Sequence, residues 1–414
     1  MNEYLECVEC HQKYDLDEIR YSCDCGGLLA VERPAGSLSK LSTQEFDERK
    51  KSVADIDRSG VWRFREGLLS IKDDEIVSHP EGATPLYRRL AFSSWAGIDH
   101  IALKHEGENP TGSFKDRGMT LAVTQAKRLG SKVLACASTG NTSAALASYA
   151  AQAGLKSIVF LPEGKVAKGK LAQALAYGAS CLELSGSFDK AMDIVKEMAE
   201  KGDVYMVNSL NPFRLEGQKT IMWELLQDLA WDAPDWVVVP GGNLGNTSAF
   251  GKALKEAYEA GWISKLPRIA CIQAEGANPF YSSFKNGFRD LDPVNAETVA
   301  TAIRIGNPVN YTKAKRVIQD LNGVVEELSD REILEAKSLI DSQGIGCEPA
   351  SACSLAGIRK LVSNGVIKKN EHVVGILTGH ILKDIDAIID YSGNDPKKVS
   401  ANMEDIMKII KKDH

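Results

Sequence analysis

The stretch ENPTGSFKDRGM, Glu108 to Met119, puts a lysine where a helix should open. Ser113 has the side chain of an N-cap, and Asp116 stands three residues on, where a capping box carries Glu or Gln. That spacing makes Phe114 the first helical residue and Lys115 the second. The free N–H groups and the macrodipole make this end of a helix positive, so a cation there costs a few tenths to about 1 kcal/mol. Arg117, two residues on, adds a second cation. An amine kept at such a place loses proton affinity and gains the reactivity of a free base. The alternative is a lysine that points into solvent.

Two glycine turns supply the complementary chemistry. WVVVPGGNLGNTSAF reads as strand, glycine loop and helix start. Gly241, Gly242 and Gly245 permit φ > 0 and close backbone approach, so the N–H groups of Asn243 to Thr247 can converge on an anion. No lysine follows as in GxxxxGK[ST], and the spacing is not GxGxxG, so neither nucleotide motif fits. A phosphate is the favoured occupant, and a tight turn without a ligand is the alternative. ASTGNTSAA, Ala137 to Ala145, sets Ser138, Thr139, Asn141 and Thr142 at another helix mouth, to hold an anion or carboxylate or merely to cap it. Near the start, Cys7 and Cys10 form a CxxC, and Cys23 and Cys25 a tighter CxC. Four such thiolates can surround zinc tetrahedrally, and a shell filled by sulfur leaves the metal a structural role. Otherwise they are four unligated thiols.

These groups need a scaffold to hold them. From about Ser131, apolar runs alternate with helical stretches: KVLACAS, SIVFLP, ASCLELS, DVYMVNS, DWVVVP, RIACIQAEG and HVVGILTGH read as strands. AALASYAAQAG, KGKLAQALAYG, FDKAMDIVKEMAEKG, PFRLEGQKTIMWELLQDL and TSAFGKALKEAYEAG read as the helices between them. Short apolar strands alternating with helices predict an α/β protein with helix-covered parallel sheets. The charged stretch from Leu38 to Asp57 reads as a linker, partly helical.

A chain of 414 residues is too long for one ordinary core, so two or more domains are expected. Its 43% hydrophobic content and net charge of −6 suit a soluble globular protein and give no broad basic surface for nucleic acid. No apolar run approaches the ~20 residues that span a bilayer, so no membrane partner is expected. MNEYLECVECHQ carries no signal core, and nine cysteines, an odd number, without one favour a reducing cytoplasm. Cys136, Cys181, Cys271, Cys347 and Cys353 then read as buried thiols.

An amine beside two helix-mouth anion sites is the set that pyridoxal phosphate requires: a lysine for its aldehyde, a cup for its phosphate and a partner for its pyridine nitrogen. NPTGSFKDRG, STGNTSAA, NPFRLEGQKT and GGNLGN, in this order between Gly82 and Thr378, resemble the fold-type II pyridoxal phosphate enzymes (tryptophan synthase β-like). Within them the resemblance is to the threonine synthases of the shorter bacterial and archaeal kind, with a zinc-ribbon-like leader. It implies two parallel-sheet, three-layer domains: a leader at 1–40, a linker at 41–80, a large cofactor-binding domain at 81–128 and 211–414, and a small α/β domain at 129–210. Lys115 would bond the cofactor's aldehyde and act as catalytic base. Asn141 would bond its phenolic oxygen, Thr378 would face its pyridine nitrogen, and Gly241, Gly242, Asn243, Leu244, Gly245 and Asn246 would wrap its phosphate. The implied substrate is O-phospho-L-homoserine, converted with water to L-threonine and phosphate. Arg214 is the candidate clamp for the substrate phosphate, since its fork matches phosphate oxygens, with Ser138, Thr142, Ser209 and Asn243 as neutral donors; a surface helix charge is the alternative for Arg214, and a capping or core hydroxyl for Thr378. A homo-oligomer, a dimer, is implied as well. The rival readings are cysteate synthase acting on phosphoserine, a threonine or serine dehydratase, and a zinc-ribbon ligand-sensing regulator that binds nucleic acid.

Overall fold

The alternation of apolar runs is realised as three sheets. The structure, a computed structural model, describes residues 3–163, 168–185, 188–391 and 398–411. Its strands begin with β1 (Tyr4–Cys7), β2 (Lys13–Tyr14), β3 (Leu29–Glu32), β4 (Leu86–Tyr87) and β5 (His100–His105). There follow β6 (Val133–Ala137), β7 (Lys156–Pro162), β8 (Ser180–Leu184) and β9 (Tyr205–Met206). The last are β10 (Trp236–Pro240), β11 (Arg268–Ala274), β12 (Val324–Leu328) and β13 (His372–Leu377). Among the described residues, the first three form an antiparallel ribbon in the order β2-β1-β3, and β6 to β9 form a parallel sheet in the order β8-β7-β6-β9. The remaining strands form a sheet in the order β12-β11-β10-β13-β5-β4.

That larger sheet departs from the wholly parallel expectation at one edge. β4 runs antiparallel to β5, pairing Leu86 with Lys104, because only a short helix, Leu90–Ala96, joins the two; antiparallel neighbours need no long crossover. Central strands are apolar throughout because both their faces are covered. Every residue of β10, WVVVP, is buried.

The stretch read as a linker packs into the large unit. Phe46, Trp62 and Phe64 are buried, and Phe64 lies edge-on to Trp223 with ring centroids 5.8 Å apart. The ribbon in turn touches both sheets' units. Lys313 Nζ donates to Leu29 O at 2.6 Å and Arg316 Nη1 donates to Val8 O on one side. On the other side, Met206 N donates to the Tyr21 hydroxyl at 2.8 Å, and the Tyr21 and Tyr205 rings meet at 5.8 Å.

Candidate active site

The motifs singled out in the sequence follow the carboxyl ends of parallel strands: Lys115 after β5, Asn141 after β6, Arg214 after β9, the glycine loop after β10 and Thr378 after β13. Ligands collect at that edge of α/β sheets.

The lysine helix runs Lys115–Arg128 with Phe114 as its N-cap, one residue later than the predicted register. Ser113 Oγ accepts from Lys115 N at 3.3 Å, but Asp116 does not close a capping box. Its carboxylate turns back to accept from Thr111 N at 3.1 Å and Thr111 Oγ1 at 2.9 Å. The preceding loop is held against the end of β13, with Phe114 N donating to Thr378 O at 3.0 Å, so Asp116 braces this loop rather than the helix. Arg117 also departs from expectation. It is fully buried and paired with Glu106 at 2.6 Å and Glu224 at 2.9 Å, so its charge is neutralised instead of adding to that of Lys115. Glycines bring a later helix, Pro212–Gln218, into contact: a Cβ on Gly217 would sit 1.9 Å from Arg117 O, and one on Gly118 would sit 2.8 Å from Arg214 O. This close crossing sets Arg214 beside the start of the lysine helix.

Lys115 Nζ makes no hydrogen bond or ion pair among the described residues and lies 4.1 Å from the centre of the Phe114 ring. Burial pulls its pKa down to about 7, the Arg214 cation pulls the same way, and Glu348 opposes them. Arg214 is 2% exposed, and it has no carboxylate partner among the described residues. One nitrogen donates to Val207 O at 3.0 Å, while its Nε has no partner. Burial lowers its pKa to about 10. A buried cation left without an anion is costly, and an incoming anion relieves that cost.

The glycine loop works differently from the expectation. Gly241, Gly242 and Gly245 do not have positive φ; Leu244 does, at 61°, as the N-cap of helix Gly245–Glu259. The glycines serve close approach instead: a Cβ on Gly241 would lie 2.5 Å from Cys271 Sγ, and one on Gly242 would lie 3.1 Å from Ile303 Cα. No side chain caps the helix, so its first N–H groups remain free for an anion. Around Gly245 lie Gln218 Oε1 and Asn310 Nδ2, at 3.5 and 3.8 Å from the place of a Cβ. Those two atoms, with Asn246 Oδ1 in the loop itself, are buried without partners among the described residues. Buried polar atoms are normally satisfied, and a cluster of exceptions around an open loop fits a phosphate-bearing group. Asn243 anchors the loop: its O accepts from Asn310 N at 3.2 Å and its Oδ1 from Val309 N at 3.3 Å.

Glu348, which sequence reasoning missed, joins two of the candidates. Its carboxylate accepts from Asn141 Nδ2 at 3.1 Å and from Thr378 Oγ1 at 3.3 Å. Burial raises its pKa, opposed by these bonds and by the Lys383 and Lys115 cations. Thr378 Oγ1 also meets Ser351 Oγ at 3.0 Å. The signal was an acid immediately before Pro349, the first residue of a helix, which is an N-cap position facing the sheet edge. Ser138, Asn141 and Thr142 stand partly exposed at the start of helix Asn141–Ala153, and Ser209 is partly exposed in the turn before Arg214.

The four leader cysteines are also brought together, on the ribbon. Cys7 and Cys25 sulfurs are 3.6 Å apart, Cys10 and Cys23 3.5 Å, Cys10 and Cys25 3.4 Å, and all four lie within 4.8 Å. Sulfurs about 2.3 Å from a tetrahedral zinc ion are about 3.8 Å from one another, so the set fits that ion.

A family model described as pyridoxal-phosphate dependent enzyme matches residues 77–379, and the chain belongs to that family. Threonine synthase of Methanocaldococcus jannaschii is 49% identical over 409 residues, covering 98% of both chains. That of Methanosarcina acetivorans is 47% identical, again over 98% of both. Threonine synthase 2, chloroplastic, of Arabidopsis thaliana is 39% identical over 97% of this chain and 82% of the other. Among solved structures, Escherichia coli threonine synthase has the same fold, with a TM-score of 0.73 over 99% of this chain and all of that one, at 16% identity. A Solanum lycopersicum threonine deaminase shares it too, with a TM-score of 0.66 over 87% and 91% of the two chains, at 20% identity. The expected fold class and cofactor family thus hold.

Proposed function

We propose that this chain is a threonine synthase, converting O-phospho-L-homoserine and water to L-threonine and inorganic phosphate. The observation that carries the reading is Arg214, a buried guanidinium with no carboxylate partner among the described residues, next to the amine of Lys115. A dehydratase acting on unphosphorylated threonine would leave that cation unmatched throughout turnover. Near-full-length relatives named threonine synthase support the same assignment.

Lys115 would carry the cofactor, the glycine loop 241–246 with Gln218 and Asn310 would hold its phosphate, and Asn141 and Thr378 would meet its ring. When bound, pyridoxal phosphate supplies an electron sink for negative charge at the substrate's Cα. The chain's own groups do the rest. Arg214 binds the γ-phosphate, with Ser138, Thr142, Ser209 and Asn243 donating neutral hydrogen bonds. Lys115 Nζ, held near neutrality by burial, removes the proton on Cα and then one on Cβ. The Cγ–O bond breaks and the phosphate stays on Arg214. Protons return to Cγ and Cα, and water adds its oxygen to Cβ, which balances substrate and water against threonine and phosphate. Glu348 keeps Asn141 and Thr378 in place. The Cys7, Cys10, Cys23 and Cys25 cluster binds zinc with no open position, and its role is to hold the ribbon. The same reading takes the protein as a cytoplasmic homodimer acting on a small molecule.

The test is an absorbance spectrum of the cofactor-loaded protein with and without O-phospho-L-homoserine, together with assays for phosphate and threonine. A visible band that shifts on addition, with equal release of both products, is expected. Turnover of phosphoserine with sulfite but not of phosphohomoserine would replace this reading with cysteate synthase.

A further inference from the structure

The reaction above brings a carboxylate and a phosphate to a site for which the motifs offered one cation, Arg214. A second is present. Lys383 ends the short turn Ile381–Lys383 after β13, and it is partly buried. Its Cε lies 2.9 Å from the place of a Cβ on Gly112, three residues before Lys115. Its Nζ donates to Gln173 Oε1. Gln173 sits on helix Lys168–Ala176 of the four-stranded unit and also donates Nε2 to Thr111 O at 3.1 Å. One amide therefore reaches across from that unit to both loops that flank Lys115.

A neutral amide is a weak partner for an ammonium group withdrawn from water. Two amines buried more completely, those of Lys104 and Lys219, are met by carboxylates. Lys104 has Glu224 at 2.6 Å and Asp228 at 2.7 Å, and Lys219 pairs with Glu216 and with Glu256 at 2.9 Å. Lys383 has no carboxylate within ion-pair distance among the described residues. Two acids face it without coming within ion-pair distance: Asp116, whose Oδ2 accepts from Thr111 while its Oδ1 has no partner among the described residues, and Glu348, engaged by Asn141 and Thr378. Its charge is thus open to an anion that arrives with the substrate.

We propose that Lys383 is a substrate-binding residue, parked on Gln173 between turnovers, whose ammonium transfers to an anionic oxygen of the substrate. This rests on the phospho-amino-acid reading above. Carboxylate and phosphate oxygens present the same chemistry to an ammonium, and the two arms of the experiment separate them.

Lys383→Met and Lys383→Gln, loaded with pyridoxal phosphate, keep the visible band of the wild type. The KM for O-phospho-L-homoserine rises about tenfold or more, as expected for a lost charge-assisted hydrogen bond. A matching rise in the inhibition constant of inorganic phosphate assigns the phosphate end. A matching rise in the dissociation constant of L-threonine, read from the band shift, assigns the carboxylate end. Unchanged values in all three overturn the proposal. Should both variants fail to fold, amine acylation of the wild-type holoenzyme decides: phosphate or threonine protects Lys383, and equal labelling with and without them overturns it. A wild type that releases no phosphate from phosphohomoserine would instead refute the assigned reaction.

Discussion

Replacing Arg117 with methionine tests how the lysine-bearing helix is held. Arg117 donates to both oxygens of Glu106, at 2.6 and 2.8 Å, to both of Glu224, at 3.2 and 2.9 Å, and to Gly60 O at 3.0 Å. After the change Glu224 keeps Lys104 at 2.6 Å and the amides of Ala83 and Thr84 at 2.8 and 2.9 Å. Glu106 keeps only neutral donors, Thr84 Oγ1 at 2.7 Å and Asn109 Nδ2 at 2.9 Å. The variant therefore strands one buried carboxylate, and breaking a buried pair in this way costs about 3–5 kcal/mol. A stranded carboxylate is relieved by a proton that the unfolded chain does not hold, so the folded variant binds more protons than the unfolded one. Its stability then falls as pH rises, by up to about 1.4 kcal/mol per unit, and the deficit against wild type shrinks in mild acid. Urea unfolding of both proteins at about pH 5.5 and about pH 8 measures this, and adding Glu106→Gln to the variant should restore part of the loss. A deficit below about 1 kcal/mol, or one that is the same at both pH values, would refute the view that this ion cluster fixes the helix.

Lys115→Ala should lose the visible band and phosphate release together; turnover that survives the change removes the proposed base. In cofactor-free protein, reaction of Lys115 with an acylating probe should fall as pH drops through about 7, because burial lowers the amine's pKa and protonation below that value removes the nucleophile. Arg214→Gln removes the second cause of that depression, so the inflection should move to higher pH, which mass-spectrometric labelling reads directly. The same variant should raise the KM for O-phospho-L-homoserine about 10- to 100-fold while keeping the band. Purified protein should carry one zinc ion per chain. The double variant Cys7→Ser/Cys10→Ser should carry none and melt at a lower temperature, and a wild type without metal at any stage would count against the ribbon site.

The parts of the fold that could be read early are those where one local pattern dominates. Apolar runs such as WVVVP marked the strands, and the glycine loop and SFKDRG marked two strand-to-helix junctions. What escaped was set by partners far along the chain. Arg117 looked like a liability because Glu106 and Glu224, which neutralise it, are 11 and 107 residues away. Glu348 meets Asn141 across 207 residues, and Lys383 meets Gln173 across 210. Asp116 stood at capping distance, but the anchoring of its loop to β13 turned the side chain the other way. The Leu38–Asp57 stretch read as a tether because its charges outnumber its apolar residues, yet the buried Leu38 and Phe46, with Asp47 bonded to Gln227 and Trp231, dock it.

That docking limits how far the protein can be pared down. The family match begins at residue 77, and a minimal enzyme cut to that boundary would look reasonable on paper. Such a fragment would bare the rings of Trp223, Trp262 and Tyr205 that Phe64, Phe46 and Tyr21 now cover. Sticky, poorly soluble material is the expected yield, so the segment before residue 77 belongs in any expression or transplant of this catalyst.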